Sequence, residues 1–278
     1  MLTSNPTDIL VLTGDWHVND TVGLCPPLFH RGDGDSHNPG KGQQELHNAW
    51  QQIWVEAARR KALYGARVYA ICMGDLGDMN SHSKTQLISA QKKDVQDALY
   101  QLSRNMTTVA DHVFVLRGTP AHVGGAGEIE EQFADDVGAE RNTERGNHSW
   151  WVLKMQVAGV RMAFSHHPPT QSKRPDCRNQ AVARAAAISV IRAIRRHARP
   201  RDLYAWGHVH YFAEGTEMGA WGLQIPCLKL VGEYGHRIGQ TDHIEPVGAV
   251  FLEIAAGQFR YDPMLFEPKK DAEWTPES

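Results

Sequence analysis

Aspartate and histidine residues recur in this chain directly after short apolar segments. The clusters are Asp15 with His17, Asp75 with Asp78, the RGTPAH motif at 117–122, His166 with His167, and His208 with His210. In an extended chain, residues two apart point to the same side, so both members of an Asp-x-His or His-x-His pair can reach one ion. Carboxylates and imidazoles without a thiolate suit manganese, iron, zinc, nickel or cobalt rather than a structural zinc site. The pattern therefore predicts a metal centre.

The number of these residues indicates two ions rather than one. The expected metal ligands are Asp15, His17, Asp75, His166, His208 and His210. This set is larger than one catalytic ion needs, and an aspartate can bridge two ions with its two oxygens. Two ions roughly 3.5–4 Å apart typically serve phosphate ester hydrolysis, because they activate a water and stabilise the attacking and leaving oxygens. Manganese is the first expectation, with iron, zinc, nickel and cobalt as alternatives.

Each motif also has an ordinary structural interpretation. An Asp-x-His pair such as Asp15 and His17 is usually a surface turn, and histidines spaced two apart are common on protein surfaces. Asp75 could simply cap the segment that follows it. The metal centre is favoured by the ordered set, because every cluster follows a segment that predicts a buried strand.

The elements that must position these residues are strands that alternate with helices. Apolar segments at 9–13, 68–73 and 113–116 predict strands, and apolar residues at helical spacing predict helices at 42–64, 84–106 and 129–137. This order implies parallel strands with crossover helices, and open α/β sheets bind ligands at the carboxyl ends of such strands. The second half predicts a hairpin at 150–157 and 160–165, a helix at 178–198, and strands at 203–206 and 248–254. The expected fold class is α/β, with a two-sheet β-sandwich flanked by helices.

Length and composition are those of an ordinary globular protein. The chain has 278 residues, of which 41% are hydrophobic, and a formal net charge of −3. A protein that holds nucleic acid mainly by neutralising phosphates is usually basic overall, so non-specific DNA binding is not favoured. The four cysteines form no CxxC pair, which argues against a zinc finger. With no signal peptide and no apolar run of the ~18–20 residues that span a bilayer, we expect a cytoplasmic protein without membrane contact.

One domain is expected over residues 1–268, followed by a polar tail at 269–278. The segment 19–42 is rich in glycine, proline and aspartate and shows no periodicity. It directly follows the first motif and could serve as a lid or substrate loop, or be a surface insertion. The sequence does not predict an oligomeric state.

The order of the motifs resembles the pattern of the calcineurin-like metallophosphoesterase superfamily, which is D-x-H, GD-x-x-D, GNH-D/E, H and GH-x-H. Four of its five blocks match, in order, over residues 9–254. The resemblance implies a four-layer α/β/β/α sandwich with a dinuclear site. Its implied ligands are Asp15, His17 and His210 for the first ion, His166 and His208 for the second, and Asp75 as the bridge.

The third block departs from this pattern. Thr119 occupies the place of the expected asparagine ligand, and His122 follows later. Either His122 replaces the asparagine as a ligand, or it keeps a catalytic role and the second ion has one protein ligand fewer. The RGTxAH form is similar to that of calcineurin-like phosphoesterases from phages and prophages. Asn147, in a GNH sequence without a preceding strand, and the pair Asn80 and His82 are other candidate site residues.

The hypothesis for the reaction is in-line attack on phosphorus by a metal-bridging hydroxide. Asp75, His122 and His167 are the expected catalytic residues, with His122 or, as the second choice, His167 protonating the leaving alkoxide. Arg117 and Thr119 are the expected substrate-binding residues, because the planar guanidinium of an arginine matches phosphate oxygens.

The expected substrate is a small phosphate ester or nucleotide, cleaved as a monoester, a diester or both. A nuclease or nucleic-acid end-processing phosphatase is the alternative. Residues 173–201 carry nine basic residues and one acidic residue, which could attract a polynucleotide or merely form a solvated helix face. A catalytically inactive binding module is the third hypothesis, and the missing asparagine is the only feature that suggests it.

Overall fold

Strands and helices alternate along the chain in the computed structural model, which describes residues 2–79, 86–232 and 245–268. The helices are α1 (Lys41–Tyr64), α2 (Lys92–Val109), α3 (Pro120–Val123), α4 (Glu128–Asp136) and α5 (Arg178–Arg195), with a 3₁₀ turn at Pro175–Cys177. The strands are β1 (Asp8–Thr13), β2 (Phe29–His30), β3 (Ser36–His37), β4 (Arg67–Cys72), β5 (His112–Leu116), β6 (Ser149–Trp150), β7 (Val152–Val157), β8 (Val160–Ser165), β9 (Leu203–Trp206), β10 (Ala213–Glu217), β11 (Ala220–Gln224), β12 (Val247–Ala255) and β13 (Gln258–Phe266).

The strands form two large sheets. One has the order β13-β12-β1-β4-β5-β6 and the other β10-β11-β9-β8-β7, while β2 and β3 pair in a small ribbon. Strands β1, β4 and β5 are parallel neighbours, as are β8 and β9. The parallel order of the first half is therefore confirmed, and the hairpin turns between β7 and β8 at 158–159 as expected. The carboxyl ends of β1, β4 and β5 lie together at one edge of the first sheet.

Apolar side chains fill three layers: one between the helices and the first sheet, one between the two sheets, and one between the second sheet and α5. In β1, Ile9 and Val11 pack with α1 and α2, while Leu10 and Leu12 pack between the two sheets, because adjacent strand residues face opposite sides. Helix α5 covers the outer face of the second sheet with residues such as Val182. The order is helices, sheet, sheet, helix, so the two-sheet α/β sandwich flanked by helices is confirmed.

Two helices differ from their predicted bounds by more than one residue. Helix α2 begins at Lys92, not at 84, and residues 84 and 85 lie outside the described residues. Before it, the Ser89 hydroxyl donates to Asp94 at 2.6 Å and accepts the N–H of Gln91 at 3.0 Å, a local turn that competes with helix. Helix α5 ends at Arg195, shortly before Pro200, which cannot continue a helix.

Among the described residues, no helix is both long and apolar enough to cross a bilayer. The boundary at 268 and the cytoplasmic location stay predictions, and the tail at 269–278 lies outside the described residues.

Candidate metal centre

The loops after β1, β4, β5, β8 and β9 meet where strands of the two sheets end. The loops after β1 and β4 run side by side, because Asp15 N–H donates to the Gly74 carbonyl at 2.8 Å and His17 N–H to the Asp75 carbonyl at 3.0 Å. Across the sandwich, His208 N–H donates to Asp15 Oδ2 at 2.9 Å, which joins the loop after β9 to the loop after β1. These hydrogen bonds bring residues from distant parts of the chain to one place.

The first group of side chains contains Asp15, His17 and His210. His17 Nε2 lies 3.2 Å from His210 Nε2, which in turn lies 3.2 Å from Asp15 Oδ1. Asp15 and His17 are almost fully buried, and His210 is partly exposed. The structure thus brings together the three residues expected at the first ion.

The second group contains Asp75, His166 and His208. His166 Nε2 lies 3.0 Å from Asp75 Oδ2, and its Nδ1 lies 2.8 Å from the Met73 carbonyl, which orients the ring. The Thr119 hydroxyl oxygen lies 3.1 Å from Asp75 Oδ2 and 3.4 Å from His208 Nδ1. Asp75 also lies within 4.8 Å of residues from both groups, which is where a bridging ligand has to be.

The spacing of these atoms matches the needs of bound metal ions. Bonds of about 2.1 Å in tetrahedral or octahedral geometry place neighbouring ligand atoms about 3.0–3.4 Å apart. The measured separations of 3.0 Å between Asp75 and His166 and 3.2 Å between His17 and His210 fall in this range. The donor set and its spacing therefore fit the expected divalent metals.

The backbone at these positions adopts a conformation that side chains other than glycine rarely take. Positive φ angles of 46–79° occur at five of the six expected ligands, namely Asp15, His17, Asp75, His208 and His210. Such residues are strained by the order of 1–3 kcal/mol each, and strain of this kind concentrates at functional sites. The turn after each strand is therefore held by its surroundings in the form that aims the ligand inward.

Glycines next to the ligands provide the necessary room. A Cβ atom at Gly207 would lie 2.8 Å from Asp15 Oδ2, and one at Gly74 would lie 2.8 Å from His166 Nδ1. Both distances are too short for real contacts, so larger residues at these positions would displace a ligand.

Buried carboxylates make the centre attractive to positive charge. Burial raises the pKa of Asp75, but the hydrogen bond and charge of His166 outweigh it and hold the pKa well below its usual range. Burial lowers the pKa of His166, but the charge of Asp15 and the bond to Asp75 raise it to about 9. For His210, Cys227 and Asp15 likewise outweigh burial and raise the pKa to about 10. Without an ion, these two histidines therefore carry protons that balance the carboxylates.

Two other histidines are neutral at ordinary pH. Burial lowers the pKa of His17 to about 3, and the nearby positive charge of Lys229 adds to this effect. Burial and the charge of His166 lower the pKa of His208 to about 4. Neutral imidazole is the form that binds a metal, so these two side chains are ready to ligate.

Metal binding at neutral pH is expected to release up to about two protons per chain. A histidine that binds a metal has to give up the proton on the ligating nitrogen. Because the pKa values of His166 and His210 are about 9 and about 10, both hold that proton at neutral pH. As the pH rises through these values, Mn²⁺ should bind more tightly and fewer protons should be released. Calorimetry in buffers of different ionisation enthalpy measures the number, and a pH-independent value would contradict the expectation.

A second carboxylate–histidine pair adjoins the ligands. His122 Nδ1 lies 3.1 Å from Asp78 Oδ1, and His17 Nδ1 lies 3.4 Å from Asp78 Oδ2. Burial raises the pKa of Asp78, but the hydrogen bonds from His122 and His17 outweigh it and hold the pKa well below its usual range. Lys229 lies 4.0 Å from the same carboxylate. The sequence predicts no role for Asp78, although the GD-x-x-D spacing is the signal that marks it.

Glu130, in α4, supports the site through hydrogen bonds to its loops. The sequence patterns did not identify this residue. Its Oε2 accepts the Gly118 N–H at 2.7 Å and its Oε1 the Leu76 N–H at 3.4 Å. Burial and the charge of Asp75 raise its pKa to about 8. The only sequence signal is its helical spacing from the buried Phe133 in α4.

Arg117 has contacts that differ from the expected phosphate contact. Its guanidinium donates to Ser149 Oγ at 2.7 Å, to the Ala126 carbonyl at 2.9 Å and to Glu131 Oε2 at 2.9 Å. These bonds tie β6 to the loop before α4. The same bonds direct the guanidinium toward α4 and β6. A substrate-binding role for Arg117 stays a prediction.

Of the remaining candidates, the GNH sequence at 146–148 packs beside α4 and not within the two groups of ligands. His148, which follows Asn147, donates its backbone N–H to Glu131 at 2.9 Å, and its ring lies 3.2 Å from Asp135, so this GNH sequence packs against α4. Asn80 and His82 lie outside the described residues. Thr119 and His167 lie beside the second group, and the Thr119 hydroxyl oxygen is 3.3 Å from His167 Nε2.

Solved structures that are similar to this chain have low sequence identity to it. Vacuolar protein sorting 29 from Cryptosporidium parvum is 10% identical over 95% of this chain and 100% of that chain, with a TM-score of 0.46. A predicted phosphoesterase from Streptococcus pneumoniae is 9% identical over 93% and 89%, with a TM-score of 0.40. An archaeal phosphodiesterase is 8% identical over 92% and 99%, with a TM-score of 0.42. No protein-family model and no curated protein matches the chain. Similarities at this level decide neither family nor activity.

Proposed function

We propose that this protein is a metal-dependent phosphoesterase of the calcineurin-like type, with two divalent ions in the centre described above. The observation that carries the proposal is the convergence of six carboxylate and imidazole ligands from the loops after β1, β4, β8 and β9. Their separations suit shared ions, and five of them sit on strained backbone. A purely structural role would not require this cost at so many positions.

Asp15, His17 and His210 would hold the first ion, His166 and His208 the second, and Asp75 both. Bound divalent ions would supply a nucleophile at neutral pH and neutralise charge that develops on the phosphoryl oxygens. Asp75 is oriented for its role, because Thr119 N–H donates to its Oδ1 at 2.6 Å and leaves Oδ2 facing His166.

His122 is the proton donor that the contacts support best. The buried Asp78 carboxylate lies 3.1 Å from its Nδ1 and so orients the ring. His122 also packs edge-on against His17, with ring centroids 4.6 Å apart. A leaving alkoxide on this side of the centre would take its proton from His122. Because a water activated by the bound ions would be the nucleophile, no side-chain nucleophile and no phosphoenzyme would be needed.

Hydrolysis is expected to depend on bound metal. Comparing several substrates shows which class of phosphate ester the protein cleaves. Protein treated with a chelator should be inactive, and added Mn²⁺ should restore turnover of p-nitrophenyl phosphate, its bis-ester, or both. Labelled DNA is assayed beside them under the same conditions. Turnover by metal-free protein, or a trapped covalent phosphoenzyme, would refute the proposed mechanism. Two bound ions without hydrolysis of any ester would favour a catalytically inactive binding module.

A nuclease or nucleic-acid end-processing phosphatase is the second candidate function. Exposed arginines gather in α5 and just after it: Arg184, Arg192, Arg195, Arg196 and Arg199. Such a surface attracts phosphates in a salt-dependent manner. If DNA is the substrate, its cleavage should fall steeply as salt rises while hydrolysis of p-nitrophenyl phosphate changes little.

A further inference from the structure

The second group of ligands has Thr119 where the resembled pattern has an asparagine. His122 is one histidine near enough to compensate, but its contacts lie on the side of the first group. Its Nδ1 pairs with Asp78 at 3.1 Å and its ring packs against His17. Among the described residues, the cluster with His122 that could hold an ion includes His17 and Asp75, and neither His166 nor His208.

His167, in contrast, lies within the second group. The Thr119 hydroxyl oxygen is 3.3 Å from both His166 Nε2 and His167 Nε2, and 3.4 Å from His208 Nδ1. The ring centroid of His167 lies 4.8 Å from that of His166 and 4.3 Å from that of His208. Ligand nitrogens of the three histidines lie within 4.8 Å of one another, so they can surround one ion.

The backbone explains how two consecutive histidines can serve the same ion. Adjacent residues in a strand point to opposite sides, but β8 ends at Ser165, so His166 and His167 both follow it. Pro168 comes next and confines His167 to extended backbone conformations. The two rings meet at an interplanar angle of 87°.

We propose that His167 is the fourth protein ligand of the second ion, joining Asp75, His166 and His208 in place of the asparagine. The inference rests on the proposed function for the presence of that ion. It changes the role of His167, because a ligating nitrogen has no proton to donate. His122 then remains as the proton donor.

An imidazole in place of an amide oxygen changes which ion the second site prefers. That site would offer three nitrogens and one carboxylate, whereas the first would offer two nitrogens and the carboxylates of Asp15 and Asp75. Imidazole suits zinc, cobalt, nickel and iron, while carboxylate oxygen suits manganese and magnesium. The second site should therefore prefer Co²⁺ or Zn²⁺ over Mn²⁺ more strongly than the first.

Titration of the metal-free full-length protein with Co²⁺ tests the assignment. Wild type should bind two ions, and His167→Ala should bind the second at least about tenfold more weakly, since even indirect partners of metal ligands contribute that much. The visible absorption of one Co²⁺ should change because its coordination changes. His122→Ala should keep both ions, and His30→Ala, which removes an exposed histidine at the end of β2, serves as the matched control. Equilibrium dialysis with metal analysis gives the stoichiometry.

Unchanged affinity and absorption in His167→Ala would overturn the assignment, and so would a wild type that binds a single ion. Loss of the second ion in His122→Ala but not in His167→Ala would also overturn it. His167 is exposed, so the fold should survive; His167→Gln with thermal melting covers the case in which alanine disturbs the loop. In that variant, the amide should weaken Co²⁺ binding and shift the second site towards Mn²⁺.

Hydrolysis of bis(p-nitrophenyl) phosphate separates this inference from the proposed function. A wild type that binds two ions without hydrolysing any ester refutes the function, and the titration still judges His167. A wild type that hydrolyses the ester while His167→Ala binds Co²⁺ normally refutes only the ligand assignment.

Discussion

Replacing Asp75 with asparagine is expected to lower the turnover of phosphate esters by about a thousandfold or more, which corresponds to about 4 kcal/mol of lost transition-state stabilisation. The buried carboxylate contributes to both groups of ligands, with Oδ2 3.0 Å from His166 Nε2 and Oδ1 accepting the Thr119 N–H at 2.6 Å. Asparagine has nearly the same shape, but it removes the charge and replaces one acceptor oxygen with a donor. One ion, or both, should bind more weakly.

The fold should survive this change, which thermal melting of the metal-free protein would show. Asp97→Asn is the matched control, because Asp97 is an exposed carboxylate paired with Lys93 on the surface of α2. Its turnover should equal that of wild type. Near-normal turnover in Asp75→Asn, measured at saturating Mn²⁺, would remove Asp75 from the bridging position.

Gly118→Ala is expected to have the second-largest effect, although residue 118 offers no ligand atom. A Cβ atom there would overlap Oδ1 and the backbone nitrogen of Asp75. Backbone atoms cannot move aside by a rotamer change, so the Asp75 loop or the loop after β5 has to shift. Misplacing reacting groups by about 1 Å can cost about a hundredfold in rate, and overpacking of this kind costs about 1–3 kcal/mol of stability.

The control for this substitution is Gly125→Ala in the same loop region. A Cβ at Gly125 would meet no heavy atom within 4 Å, so its metal binding and turnover should stay at the wild-type level. Steady-state kinetics and Mn²⁺ titration of the two variants give the comparison. Equal activity in both would show that the close approach of residue 118 to Asp75 is not needed for function.

Local patterns in the sequence were enough to predict the elements that carry the site. Residues 9–12 of strand β1 are a continuous run of buried apolar residues because helices cover one face of its sheet and the second sheet covers the other. The clusters of aspartate and histidine were found because each lies directly after such a strand. The start of α2 was wrong because the turn around Ser89 satisfies backbone groups locally, a competition that helical periodicity does not reveal.

Contacts between distant residues decided what the sequence could not. Glu130 and Asp75 are 55 positions apart, and only the packing of α4 against the loops brings the carboxyl group of Glu130 to the N–H of Gly118, which lies against Asp75. The guanidinium of Arg117 took its partners from α4 and β6 in the same way.

The sequence by itself determined which residue types stand at the strand ends, and hence the expected pair of divalent ions. The tertiary structure decided how they are grouped: His122 with Asp78 and His17, and His167 with His166, His208 and Thr119. The physical reason is that spacing along a strand sets only which side a residue faces. The distance between side chains on different strands depends on how the two sheets pack and on the strained turns that aim each ligand inward.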